Sequence, residues 1–171
     1  MSENPAITIR TAGREDAPVL CELIRELAAY ERLLHEAQPD AGALATHLAE
    51  GAQPRCEALI AEDEAGRAVG FALYFSNYST FLTRFGIYLE DLFVRPEARG
   101  RGVGMALLRR LAEIASARGC ERLDWSVLTW NRLAIDFYEA LGAKPMDEWV
   151  GMRLAGDALH ALGRPAAGDA S

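Results

Sequence analysis

The chain has 171 residues, enough for one well-buried core and too few for two. Half of them are hydrophobic and a quarter charged, a mixture that excludes an intrinsically disordered chain. A formal net charge of −7 argues against nucleic acid as the main partner, because backbone phosphates demand clustered Lys and Arg.

Residues 1–6 and the small-residue tail at 160–171 are expected to be loose ends around a single domain over 7–159. Ile7 to Arg10 alternates apolar and polar and predicts a short strand. Asp16-Ala17-Pro18 opens a helix whose Leu20, Leu23, Ile24, Leu27 and Ala28 share one face. Ala41 to Glu50 predicts a second helix, stopped by Gly51. Strands follow at Ala58–Ala61, Ala68–Phe75 and Ile87–Val94, the first two joined by the turn signal Asp63-Glu64-Ala65-Gly66. Ser76 to Gly86 has no clear period and reads as a loop with strand ends. Gly102 to Arg118 is a strongly amphipathic helix with Gly119 as its stop. Leu123–Leu128 predicts a strand, Arg132–Leu141 a helix and Trp149–Leu154 a final strand. The order β-α-α-β-β-β-α-β-α-β predicts an α/β fold with a mixed sheet, antiparallel at first and parallel across the long helix.

Cys21, Cys56 and Cys120 are odd in number and lack CxxC spacing, so neither a zinc site nor a disulfide framework is indicated. Buried free thiols in a reducing cytoplasm are the expectation. No apolar run reaches membrane-spanning length, and no apolar segment follows a positive N-terminus, so neither a membrane nor an export signal is expected. His35, His47 and His160 have no ligand spacing and are expected at the surface. Trp125, Trp130 and Trp149 are expected in the core or an interface.

The most informative stretch joins the strand ending at Val94 to the long helix through Arg99-Gly100-Arg101-Gly102-Val103-Gly104. Glycines there leave backbone N–H groups open to a ligand, and a helix start adds a positive dipole end, the combination that grips a pyrophosphate. The spacing is neither that of an NTP-binding loop nor the dinucleotide GxGxxG. Gly102 and Gly104, at the helix start, should each cost about 1 kcal/mol relative to alanine, a cost that an anion-binding role would explain. Glu90 and Asp91 lie inside an otherwise apolar strand. Burial of an unpaired carboxylate is costly, so at least one should face a cleft, with Arg84 or Arg95 as the alternative ion-pair partner. Successive strand residues point to opposite faces, so only one should reach a substrate unless a bulge intervenes. Tyr138 shares a helical face with Ala134 and Leu141 and, from pattern alone, reads as a core tyrosine.

Arg99-x-x-Gly102-x-Gly104 resembles the Arg/Gln-x-x-Gly-x-Gly/Ala signature of the GNAT N-acetyltransferases. Within them, Glu26–Glu31, Tyr88–Val94, Trp130-Asn131, Phe137-Tyr138 and Leu141–Ala143 are similar to segments of the spermidine/spermine (diamine) and thialysine acetyltransferases. The resemblance covers Ile7 to Leu154. It implies acetyl transfer from acetyl-coenzyme A to a primary amine by direct attack, without metal. It also implies that Leu92, Phe93 and Val94 pair with the pantetheine arm, that Arg99, Gly100, Arg101, Gly102, Val103 and Gly104 hold the diphosphate, and that Asn131 touches the coenzyme. Tyr138 is implied as the general acid that protonates the departing thiolate, and Glu90 as the base, through water. Tyr30, Glu31, Glu90 and Asp91 are implied on the substrate side, and a homodimer is implied as the assembly.

The sequence departs from the polyamine pattern where Ser79, Phe81, Val150 and Met152 replace acids and tryptophans, although Asp147 and Glu148 lie nearby. That points to a smaller amine than spermidine. A protein N-terminus or lysine as acceptor, and a non-catalytic coenzyme A-binding module, are the alternative readings. An alkylammonium must lose its proton before attack, which costs about 4.6 kcal/mol at pH 7.

Overall fold

A computed structural model describes residues 6–49 and 55–164. The expected ends at 1–5 and 165–171, and the expected helix stop at Glu50-Gly51, lie outside the described residues. The chain divides into two compact units between Ser126 and Val127.

The N-terminal unit is a five-stranded sheet in the order β1-β2-β3-β4-β5, with strands Thr8–Thr11, Glu57–Glu62, Ala68–Ser79, Arg84–Val94 and Leu123–Trp125. The first three pairings are antiparallel and β4 with β5 is parallel, as the sequence predicts. The β3–β4 hairpin is longer than the periodicity suggests. Ser76 to Ser79 and Arg84 to Gly86 pair fully, and only residues 80–83 form the turn. Alternation is hidden there because the exposed positions carry Tyr78 and Phe85, whose rings pack edge to face at 5.1 Å.

Helix α1 (Ala17–Tyr30) lays Leu20, Leu23 and Leu27 on Ala58, Ile60, Phe71 and Phe93, with α2 (Ala41–Ala49) adding Leu44 and Leu48 at the margin. Helix α3 (Val103–Ala117) lies against β1 to β4 and buries Val103, Leu107 and Leu111. Removing this apolar area from water drives the unit's folding, at about 1.5–3 kcal/mol per large side chain. Two arginines fix how α1 meets the sheet. Arg10 forks onto Asp16 at 2.8 Å by both terminal nitrogens and holds its carboxyl below the usual range. Arg95, directly after β4, binds Glu22 and Glu26 of α1 and donates to Ala68 O at 2.9 Å.

The C-terminal unit holds helix α4 (Arg132–Ala140) and helix α5 (Gly156–Leu162). The expected final strand at Trp149–Leu154 is absent: those residues have no regular structure and Trp149, Val150 and Met152 are exposed. With glycine at 151 and no ladder partner, β-propensity alone does not form a strand. The observed order therefore ends α-α instead of α-β. Strand β5 also stops at Trp125 instead of Leu128, and residues 160–162, expected in the loose tail, belong to α5.

Candidate active site

Strand β4 carries a β-bulge. Leu73 opposes Asp91 but the next residue, Tyr74, opposes Leu89, so Glu90 is the extra residue. The consequence is a phase change. Upstream, Leu89 follows Tyr74, whose hydroxyl lies near Glu57 and Arg118 at the end of α3. Downstream, Asp91 follows Leu73 onto the α1 side, where Phe71 opposes Phe93. Bulges of this kind re-aim side chains next to functional sites.

The acids of this region lie close enough to act on one another. Burial pushes the Asp91 carboxyl up to about 6, with further contributions from Glu90 and Glu31. Burial also raises Glu31, which caps the C-terminus of α1. Among the described residues neither Glu90 nor Asp91 forms an ion pair: Arg95 is taken by α1, and Arg84 turns to Thr83 O. That settles the alternative raised by the sequence. Glu90 itself is exposed.

Beyond β4, a single turn of 3-10 helix at Pro96–Ala98 leads into the glycine-rich turn. Gly100 and Gly102 adopt φ of +71° and +80°, and a Cβ on either would meet nothing within 4 Å. Gly102 is the N-cap of α3 and accepts the Ala106 N–H at 2.9 Å. The N–H groups of Gly100, Gly102, Val103 and Gly104 have no backbone acceptor among the described residues. This corrects the energetic reading of the sequence. In a left-handed position glycine is the favoured residue, so Gly102 stabilises the cap and only Gly104 costs helix stability. The turn presents amides without a backbone acceptor at the start of a 15-residue helix, a donor set whose chemistry suits an anion such as a diphosphate.

Arg99 does not reach straight into solvent. Its Nε–H donates to Val94 O at 2.9 Å, and its guanidinium carbon lies 4.6 Å from the Tyr30 ring centre and 5.8 Å from that of Phe93. Tyr30 is the last residue of α1, so the first arginine of the turn touches the element that carries Glu31. Sequence spacing did not reveal this contact, because nothing local links position 30 to position 99. Leu92 and Val94 are half-buried and Phe93 is buried. The β4–β5 ladder ends at Leu89 opposite Trp125, and beyond it the Tyr88 and Ser126 hydroxyls meet at 2.8 Å.

The Acetyltransferase (GNAT) family model matches residues 21–143. The chain belongs to that family. It is a GNAT N-acetyltransferase, and the family implies acetyl-coenzyme A as co-substrate. It is 38% identical over 166 residues to a thialysine N-epsilon-acetyltransferase of Bos taurus, covering 91% of this chain and 96% of that one. A 93-residue stretch is 46% identical to an L-ornithine N5-acetyltransferase of Arabidopsis thaliana, covering 54% of this chain and 41% of the relative. Among solved structures, an integron cassette protein of V. cholerae superposes with a TM-score of 0.77 at 28% identity, over 93% of this chain and 98% of that one.

Two further residues expected at the site, Asn131 and Tyr138, lie in the C-terminal unit. Asn131 is the N-cap of α4 and accepts the Ala134 N–H at 3.3 Å. Tyr138 is half-buried in α4, its ring 5.3 Å from that of Phe137. The three histidines are exposed, as expected, whereas Trp130 and Trp149 are exposed rather than core residues. Ser79 is buried and accepts the Leu82 N–H at 3.3 Å, a turn role; Phe81 is 93% exposed. Among the described residues no group of His, Cys, Asp and Glu could hold a metal ion, and no helix is long and apolar enough to cross a membrane.

Proposed function

We propose that this acetyltransferase moves acetyl from acetyl-coenzyme A to the primary amine of a small molecule of the diamine, polyamine or thialysine/lysine-like class, by direct attack. The observation that carries the acceptor class is the half-buried Asp91, turned to the α1 side by the bulge and close enough to Glu31 and Glu90 for their charges to act on it. Carboxylates that repel one another in a partly buried setting suit an ammonium-bearing guest. The relatives that act on thialysine and on ornithine support the same size of acceptor.

Each part of the chain then has a defined task. The amides of Gly100, Gly102, Val103 and Gly104, with Arg99 and Arg101, hold the diphosphate. Backbone groups of Leu92, Phe93 and Val94 pair with the pantetheine arm, and Asn131 adds a contact to the coenzyme. Tyr30, Glu31 and Asp91 seat the amine. Glu90, standing in solvent, takes the ammonium proton through water. Asp91 offers a second route: a carboxyl near 6 is closer to an amine than an ordinary carboxylate is. The Tyr138 hydroxyl gives its proton to the leaving thiolate, a transfer between groups of pKa about 10 and 8.5.

A homodimer, the assembly that the sequence resemblance implies, is part of this proposal. It is supported by exposed Tyr78, Phe81, Leu82 and Phe85 at the β3–β4 hairpin. Three free thiols suit a reducing compartment such as the cytoplasm. The deciding experiment is thiol release from acetyl-coenzyme A across putrescine, spermidine, lysine, thialysine and ornithine, alongside calorimetry with coenzyme A. Release with at least one small amine is expected. Absence of binding heat would remove the donor, and acetylation of peptides alone would replace the acceptor class.

A further inference from the structure

We propose that Arg99 is a positioning residue that couples the two substrates: by stacking on Tyr30 it locks the end of α1, and with it Glu31, when the diphosphate is bound. The inference rests on the donor reading above, since it needs an anion at the glycine-rich turn.

The geometry divides the guanidinium into separate working parts. Its Nε–H is committed to Val94 O at 2.9 Å, which ties it to the end of β4. A face lies over the Tyr30 ring at 4.6 Å. The terminal Nη groups make no other hydrogen bond among the described residues, and they sit on the residue that opens the glycine-rich turn. Arginine can use face and edge at once, because stacking consumes the π surface and leaves the in-plane donors for an anion. An anion at the turn therefore fixes the same planar group that Tyr30 rests on.

What Tyr30 holds is a loose end. Helix α1 finishes there, Glu31 is the C-cap, and Arg32 adopts a left-handed φ of +63°, so the chain changes direction within two residues. The last turn is closed by the Glu31 N–H to Leu27 O at 2.9 Å and the Leu33 N–H to Ala28 O at 2.8 Å. Helix termini fray at low cost, and a stack on the terminal ring opposes that fraying. An Arg99 held by the anion strengthens the stack, so donor binding stiffens the wall on which the amine rests. By linkage, the amine must favour donor binding by the same factor.

Hydrogen exchange reads this without knowledge of the natural acceptor, because the Glu31 and Leu33 amides report closure of the α1 terminus directly. In the wild type, saturating coenzyme A should raise protection at both amides about threefold to tenfold, the scale of a cation–π contact. Tyr30→Phe keeps the ring and should keep the gain; Tyr30→Leu should lose it while coenzyme A affinity by calorimetry changes less than about threefold. A merely structural role for Tyr30 would instead lower protection equally with and without coenzyme A. If Tyr30→Leu fails to fold, Arg99→Lys decides, since it keeps the charge and loses the planar face: loss of the gain supports the coupling and its retention overturns it. Wild type that binds coenzyme A with unchanged protection also overturns the coupling and leaves the donor reading intact. Wild type that shows no binding heat refutes both, and calorimetry alone makes that distinction.

Discussion

Asp91→Asn should make the protein more stable and less active, and the size of the gain follows from the structure. In the folded state the Asp91 carboxyl is raised from 3.8 to about 6 by burial, Glu90 and Glu31. That is about 3 kcal/mol of penalty on the charged form at neutral pH, at about 1.4 kcal/mol per pH unit. The folded state holds this proton more tightly than the unfolded chain does, so wild-type stability falls as pH rises from about 4 to about 6 and stays reduced above that. The neutral amide removes the penalty. Urea unfolding at pH 4, 5, 6 and 8 should show the variant gaining on the wild type across that window, reaching a relative gain of about 1–3 kcal/mol at pH 8, the lower figure allowing for local relaxation. A difference between the two proteins that does not change between pH 4 and 8 would refute the reasoning, because it would mean that Asp91 ionises in the folded state as freely as in the unfolded chain.

Tyr138→Phe should cut turnover about 10²–10⁴-fold with thermal stability close to wild type, measured by thiol release at saturating substrates; near-normal turnover would remove Tyr138 from proton transfer. Gly102→Ala places a Cβ in a left-handed cap and should cost about 1 kcal/mol of stability by denaturant titration while weakening coenzyme A binding by calorimetry. Activity on a small amine should rise between about pH 7 and 9 as the ammonium deprotonates. It should fall further as pH drops through about 6, where Asp91 takes up its proton. A profile flat across both ranges, with chemistry rate-limiting, would contradict the assignment of these groups.

The parts of the fold that can be read from the chain are those where one physical pattern dominates. Helix α3 is announced by Leu107, Leu108 and Leu111 and by the glycine turn before it, and β2 and β4 by runs of buried aliphatic residues. Trp149–Leu154 has the composition of a strand but no ladder, and pairing is a property of neighbours that composition does not carry. Helix α5 has only weak local signals, Asp157 in its first turn and the spacing of Leu159 and Leu162, beside the small residues that follow. At the site, the residue types were legible and their directions were not. The Glu90-Asp91 pair could not reveal which acid faces the α1 side, since a bulge depends on the register against β3. The Arg99–Tyr30 stack joins residues far apart in the chain and leaves no local mark.

The extra residue at Glu90 makes β4 behave as two rulers laid end to end and out of step. Up to Leu89 the odd-numbered residues share the face of Tyr74, whereas from Asp91 onward they share the face of Leu73, toward α1. A substitution on one ruler therefore leaves the facing of the other unchanged. Deleting Glu90 would remove the extra residue and restore regular pairing, with Leu89 still opposite Tyr74 and Asp91 still opposite Leu73.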